Sequence, residues 1–203
     1  MRSTDFAVSR KRASDVRQKL FQNAEKLFLE KGYENVSIDE ICRTVGVTKG
    51  AFYGYFKSKD QIILEAMVQH DTQYRTSLLP QVSGMEAGVG KLVAYLRLAM
   101  RYQGNITKEN IRLHYSIRIS NTEEAPHLIP DKRELYRVLL ELIREGQKQG
   151  DITGDQPAAQ IATDLLYCIR GLIYSWCLPG SRFDLIKTSD SVWDLMQPGL
   201  RKQ

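Results

Sequence analysis

The sequence predicts an all-α fold of about nine helices: an N-terminal three-helix unit built on a helix-turn-helix, then a larger helical domain. Three observations carry this. Apolar residues recur at three- and four-residue spacing through segment after segment, and no stretch alternates as a strand would. The stretch from Ser37 to Asp60, SIDEICRTVGVTKGAFYGYFKSKD, packs two helix caps and a turn glycine into 24 residues. Apolar content of 42% and charged content of 26% over 203 residues are those of an ordinary globular chain, long enough to bury a core.

Residues 1–13 are polar and basic (Arg2, Arg10, Lys11 and Arg12 against Asp5) and are expected to form a flexible arm. Such an arm is either simply unordered or able to reach a nucleic-acid backbone or minor groove. A first helix is expected from Ser14 to Lys31, with Val16, Leu20, Ala24, Leu27 and Phe28 as its inner stripe and Gly32 as its stop. Ser37 and Glu40 then have the S-x-x-E spacing of a capping box, and Ile38, Ile41, Cys42 and Val45 give the following helix a buried face. Gly46 suits a left-handed helix end, Val47 fills the bend, and Thr48 offers a second N-cap. The segment after it is short, aromatic and holds Gly50 and Gly54, with Lys49, Lys57 and Lys59 around it. Ser58 and Gln61 open the next helix with another box. Two helices joined by a glycine turn, the second slim and ringed by cations, are the parts of a major-groove reader.

Net charge is +5 and uneven. Residues 1–60 hold 12 Lys/Arg against 8 Asp/Glu, a net +4, while residues 61–203 hold 17 against 16. The positive excess sits with the helix-turn-helix, where a phosphate-facing surface needs it.

The stretch Thr48 to Lys59, TKGAFYGYFKSK, resembles the DNA-binding signature of the TetR family of transcriptional regulators, and the likeness extends from Val16 to Ala66. The resemblance implies that Thr48, Lys49 and Gly50 begin the recognition helix and that Tyr53 and Tyr55 bind phosphates. It also makes Lys59 a cationic clamp at the next helix start, with Phe52 and Phe56 in the core. Ser37 caps a helix whose N-terminus can hold a phosphate. It implies a homodimer on a pseudo-palindromic double-stranded operator, with residues 1–60 as the reader and 61–203 for effector binding and dimerisation.

Beyond Asp60 a helix is expected to run to about Leu79 and break near Pro80. After a glycine-bearing loop (Ser83 to Gly90) come a helix with Leu92, Val93, Leu96 and Met100, another from Lys108 to Ser120, and an acidic loop, NTEEAPHLIP. A helix from Pro130 to Gln149 follows, then Pro157 to Leu178, apolar on nearly every side, then Phe183 to Met196. An all-round apolar helix has to be covered from more than one direction. A homodimer through the last two helices is therefore expected, with Leu165, Ile169, Gly171, Leu172, Trp176, Val192 and Leu195 at its interface.

GLIYSWCLPGSRFDL, Gly171 to Leu185, is similar to the AcrR/TtgR branch of the family, which senses lipophilic compounds. That similarity implies a small hydrophobic or aromatic effector held by Tyr74, Leu92, Val93, Leu96, Asn110, His114, Leu135, Leu139, Tyr167 and Arg170. Arg170 stands in an otherwise apolar run; it either pairs with Asp164 or Glu141 or binds an anionic or carbonyl-bearing ligand. His114 is a ligand donor or a satisfied core histidine. The function implied is a ligand-released repressor. The alternative is a regulator of the same fold without a small ligand, controlled by a protein partner or acting as an activator.

Enzyme chemistry has no foothold: His70, His114 and His127 lie in no metal-spaced cluster, and no G-x-S-x-G or phosphate-cradling loop is present. No metal or cofactor is expected. Cys42, Cys168 and Cys177 have neither disulfide-framework nor metal spacing and read as inert core thiols. No apolar run reaches the ~18 residues of a membrane span, and the N-terminus has no signal-peptide core, so the cytoplasm is the expected compartment.

Overall fold

The computed structural model describes residues 2–120 and 133–202, with side chains described for 14–117 and 133–202. The acidic loop, His127 and the first residues of the helix expected from Pro130 lie outside the described residues, as do the side chains of the N-terminal arm. Nine α-helices and no strands occur among the described residues. The chain divides into two compact units, Met1–Met67 and Val68–Gln203, so the division falls after Met67 rather than after residue 60.

The first unit holds α1 (Arg2–Lys31), a 3-10 turn (Tyr33–Asn35), α2 (Ile38–Val45), α3 (Lys49–Tyr55) and the start of α4 (Lys59–Gln73). Helix α1 begins at Arg2, which corrects the expectation of a flexible arm through residue 13. The physical reason is local: residues 2–13 contain no Gly or Pro and several strong helix formers, so a helix nucleated by the packed part propagates backward. Leu20, Phe21, Ala24, Leu27 and Phe28 are buried along one face of α1, and Ile41, Phe52, Phe56 and Ile62 are buried in the same unit. Arg17 forks both carboxylate oxygens of Glu65 and lies 4.8 Å over the Phe56 ring.

The second unit continues from α4 into a π-helical turn (Tyr74–Leu78) and a 3-10 turn (Leu79–Val82). The α-helix expected to reach Leu79 thus ends at Gln73. Pro80 has no N–H to offer the preceding turn, and the chain widens ahead of it. The Leu79 N–H bonds the Tyr74 carbonyl, five residues back, and that carbonyl also accepts the Tyr95 hydroxyl at 3.0 Å. There follow α5 (Val89–Gly104), α6 (Lys108–Ser120), α7 (Glu134–Gln149), α8 (Ala158–Cys177) and α9 (Leu185–Leu200).

One core, from Tyr74 to Leu200, joins these helices. Helix α8 buries Ile161, Leu165, Leu166, Ile169 and Ile173 in it and leaves Tyr167, Gly171 and Tyr174 outside. Those three recur at i, i+4 and i+7, a single stripe. Helix α9 starts two residues later than expected because the Asp184 side chain caps it, accepting from Ile186 N at 2.9 Å and Lys187 N at 3.0 Å.

Candidate nucleic-acid interface and effector domain

The helix-turn-helix is set by its caps. Ser37 Oγ accepts the Glu40 N–H at 3.1 Å, while the Glu40 carboxylate turns to Lys31. Gly46 ends α2 at φ 74°, ψ 35°, a left-handed conformation costly to any residue with a Cβ, and the Val47 N–H reaches back to the Cys42 carbonyl at 3.1 Å. Thr48 Oγ1 accepts the Ala51 N–H at 3.2 Å and starts α3. Phe52 and Phe56 are fully buried, which aims the opposite side of α3 outward. On that side Lys49, Gly50, Tyr53 and Gly54 are exposed, Tyr53 by 50%, and Tyr55 is half-buried. Lys49 is held loosely by Asp39 at 3.4 Å, both groups facing solvent.

Neither glycine of α3 is demanded by packing. A Cβ at Gly54 would meet nothing within 4 Å, and one at Gly50 only Thr48 Oγ1 at 3.9 Å. Lys59 sits differently from a free clamp. Its ammonium donates to the carbonyls of Tyr33 and Val36, each at 2.8 Å, and lies 4.0 Å over the Tyr33 ring. The Tyr33 hydroxyl bonds Asp60, and burial together with that carboxylate pushes the phenol pKa up.

In the second unit Tyr74, Leu92, Val93, Leu96, Leu135 and Leu139 all come together in the apolar core. Asn110 and His114 are half-buried on α6, as is Arg170 on α8. Tyr167, expected with them, is 57% exposed on the outer stripe of α8. The carboxylates considered for Arg170 have other partners: Asp164 accepts from Gln160 at 2.8 Å, and Glu141 from Arg75 at 3.0 Å. Burial, then the neighbouring Arg133, lowers the Arg170 pKa. Of the expected interface residues, Leu165 and Ile169 belong to the core of their own chain, because the helix phase turns them inward. Leu172, Trp176 and Val192 are half-buried, Gly171 is exposed, and Leu195 is 81% exposed. A cleft of about 480 Å³ between α8 and α9, floored by Ile161, Leu165 and Leu200, shares no residue with the expected effector set.

Polar groups cluster where α4 ends, and of these only Tyr74 was expected at a site. The Tyr74 hydroxyl accepts from Gln103, and burial pushes its pKa up to about 12. His70 Nδ1 meets the Tyr102 hydroxyl at 2.8 Å, and partial burial holds its imidazole below the ordinary value. Asp71 and Arg75 bind the start of α7. Their only signal in the sequence is polarity on a helix flanked by apolar positions.

Residues 20–66, the stretch from α1 to α4 that builds this reader, match the family model for bacterial regulatory proteins of the tetR family. The chain carries a tetR-family DNA-binding segment. Among curated relatives, the Transposon Tn10 TetC protein of Escherichia coli is 56% identical over 46 residues, which is 23% of each chain. The HTH-type transcriptional regulator TtgR of Pseudomonas putida is 22% identical across 96% of this chain and 98% of its own length. Two solved structures share the fold. A TetR-family transcriptional regulator from Pectobacterium atrosepticum superposes with a TM-score of 0.77 at 17% identity, covering 96% of this chain and 98% of that one. AibR, solved with isovaleryl coenzyme A and operator DNA, gives 0.61 at 20% identity, covering 90% and 98%. Among the described residues, no group of three His, Cys, Asp or Glu could hold a metal ion. No described helix is long and apolar enough to cross a membrane.

Proposed function

We propose that the protein is a homodimeric, non-enzymatic repressor of the cytoplasm, bound to a pseudo-palindromic operator and released from it by a small hydrophobic or aromatic effector. The observation that carries this reading is the outward side of α3. A seven-residue helix places Lys49, Gly50 and Tyr53 at its open end and side, beside the Ser37-capped N-terminus of α2. Two glycines in so short a helix cost stability, roughly 0.5–1 kcal/mol each relative to alanine, and packing requires neither. Close approach by an external backbone explains them. In this reading Ser37, Tyr53 and Tyr55 hold phosphates while Thr48, Lys49 and Gly50, at the start of the recognition helix, face the groove.

The effector pocket of this reading is the core around Tyr74, Leu92, Leu96 and Leu139, with Asn110, His114 or Arg170 as its polar contact. Helix α4 supplies the connection, since it runs unbroken from Lys59 to Gln73 across the division after Met67. The effector weakens DNA binding only by the difference in its affinity for the two states of the protein. AibR, with both acyl-coenzyme A and operator in one complex, supports the pairing of the two ligands on this fold. The test has two arms. Duplexes selected from a random pool should bind, with a log–log salt slope that falls by about one for each phosphate contact removed. A compound found by thermal shift against an apolar panel should then lose affinity when that duplex is present, by the same factor that it weakens the duplex. Equal affinity with and without duplex would reject induction.

A further inference from the structure

A single carboxylate ties the end of α4 to the start of α7. Asp71 Oδ2 accepts the backbone N–H of Glu134 at 2.7 Å, and Oδ1 accepts Nε–H of Arg133 at 2.8 Å. The Asp71 and Arg133 side chains are each only 12% exposed. Glu134 is the first residue of α7, and Arg133, at its N-cap position, gives the helix no side-chain cap. An orphan donor of that first turn is therefore satisfied by a residue 63 positions away, whose negative charge also suits the helix N-terminus. One turn beyond Asp71, Arg75 binds Glu134 at 2.7 Å and Glu141 at 3.0 Å. Successive turns of one segment thus grip successive turns of α7.

The same segment meets α5 through other groups, Tyr95 to the Tyr74 carbonyl and Tyr102 to His70. Helix α5 is immobilised by its core residues Leu92, Tyr95, Leu96 and Met100, all fully buried. The contact with α7 is instead made of directional polar bonds, which are made or lost as units when a helix end shifts by an ångström.

We propose that Asp71 is a positioning residue for regulation: it couples the seating of the first turn of α7 to the end of α4. Movement of α7 in the effector domain and engagement of the reader helix are then linked through this bond pair, with Arg75 adding its grip one turn on. The inference rests on the regulator reading above. A merely structural staple would raise stability without changing how α7 responds to DNA.

The Glu134 amide reports the bond directly, since first-turn amides lack an acceptor inside their own helix. Amide exchange is followed by NMR on the full-length protein, with and without a duplex selected from a random pool. In the wild type, duplex should change exchange at Glu134, Val138 and Leu139 by about fivefold or more, the low end of ordinary couplings. In Asp71→Ala the Glu134 amide should exchange freely and the response at Val138 and Leu139 should vanish, while α3 stays protected by duplex. Asp71→Asn, which keeps one carbonyl acceptor but loses the charge toward Arg133, should show an intermediate response. If Asp71→Ala does not fold, Asp71→Asn decides alone, and a response equal to wild type overturns the coupling. So does an α7 that ignores duplex in the wild type while α3 is protected. Absence of protection in α3 would overturn the regulator reading, and the coupling with it.

Discussion

Lys59 and Tyr33 form a brace: the ammonium donates to the Tyr33 carbonyl at 2.8 Å and lies 4.0 Å above the ring of the same residue. With the second bond to Val36, it satisfies the carbonyls of the turn that delivers the chain to Ser37. The position therefore acts on the seating of α2. Lys59→Ala should lower unfolding free energy by about 2 kcal/mol, since hydrogen bonds to charged groups contribute ~1.5–3 kcal/mol and this one is partly solvated. Urea denaturation checks it: the midpoint should fall with the slope unchanged. An unchanged midpoint would return Lys59 to the role of a free phosphate contact.

The glycines of α3 offer a separation of stability from binding. Gly54→Ala should stabilise the fold by roughly 0.5–1 kcal/mol, because the site is helical and open. Gly50→Ala should be neutral or stabilising in the same assay, yet weaken operator binding about tenfold or more by holding the duplex away. Thermal unfolding and fluorescence anisotropy measured on the same samples would show the two effects diverging. Parallel losses in both would mean that Gly50 serves packing.

Much of the reader was legible because its chemistry is local. Ser37, Gly46 and Thr48 each act within four residues, and the bonds they predict are present. What spans the chain was not. Asp71 caps α7 from 63 residues away, and Asp151 caps α5 through the Val89 N–H from 62. Nothing at Gly88 or Arg133 announces that a distant aspartate will serve. Helix phase explains Tyr167: apolarity all round α8 left its orientation open, and packing turned Leu165 and Ile169 inward and Tyr167 outward. The N-terminal residues show the reverse error, where polarity outweighed helix propensity in the reading but not in the fold.

Gly88 is where that second distant cap would fail. Its φ is 151°, and a Cβ built there would lie 2.3 Å from Asp151 Oδ2, the atom that accepts the Val89 N–H. Gly88→Ala combines backbone strain with displacement of the cap and should cost about 2 kcal/mol or more. Asp151→Asn, which keeps an acceptor oxygen, should cost less. Calorimetric melting of both variants would rank them; equal losses would place the cost elsewhere.

Acid sensitivity should centre on Glu134. Hydrogen bonds from Arg75, with Arg137 adding to them, hold its carboxyl below its ordinary value of 4.5. A carboxylate depressed in the folded state binds fewer protons folded than unfolded, so its stabilisation is present above pH 4.5 and is lost as pH falls through the folded value. Arg75→Gln should flatten the stability profile in the acid limb while leaving its shape near neutrality. Denaturation midpoints across the acid range decide it, and identical slopes in variant and wild type would assign the acid limb to other carboxylates.

The last prediction concerns association. Tyr167, Gly171 and Tyr174 line the outer stripe of α8, Leu178 just past its end is exposed too, and Leu195 on α9 is 81% exposed. Large apolar side chains in one continuous stripe suit a partner surface better than water, and a twofold pairing would set one stripe against its copy. The proposed dimer therefore rests on these residues together with Leu172, Trp176 and Val192, rather than on Leu165 and Ile169, which their own core consumes. Leu195→Glu leaves that core untouched and should fold, yet two added charges facing each other across the axis should shift the protein to monomer at micromolar concentration. Sedimentation equilibrium reads the mass directly. Operator affinity should fall with it, because a monomer engages one half-site and loses the gain from linked binding. A Leu195→Glu protein that remains dimeric would move the interface off α9. A wild type that is monomeric under the same conditions would remove the dimer, and with it the requirement for a pseudo-palindromic site.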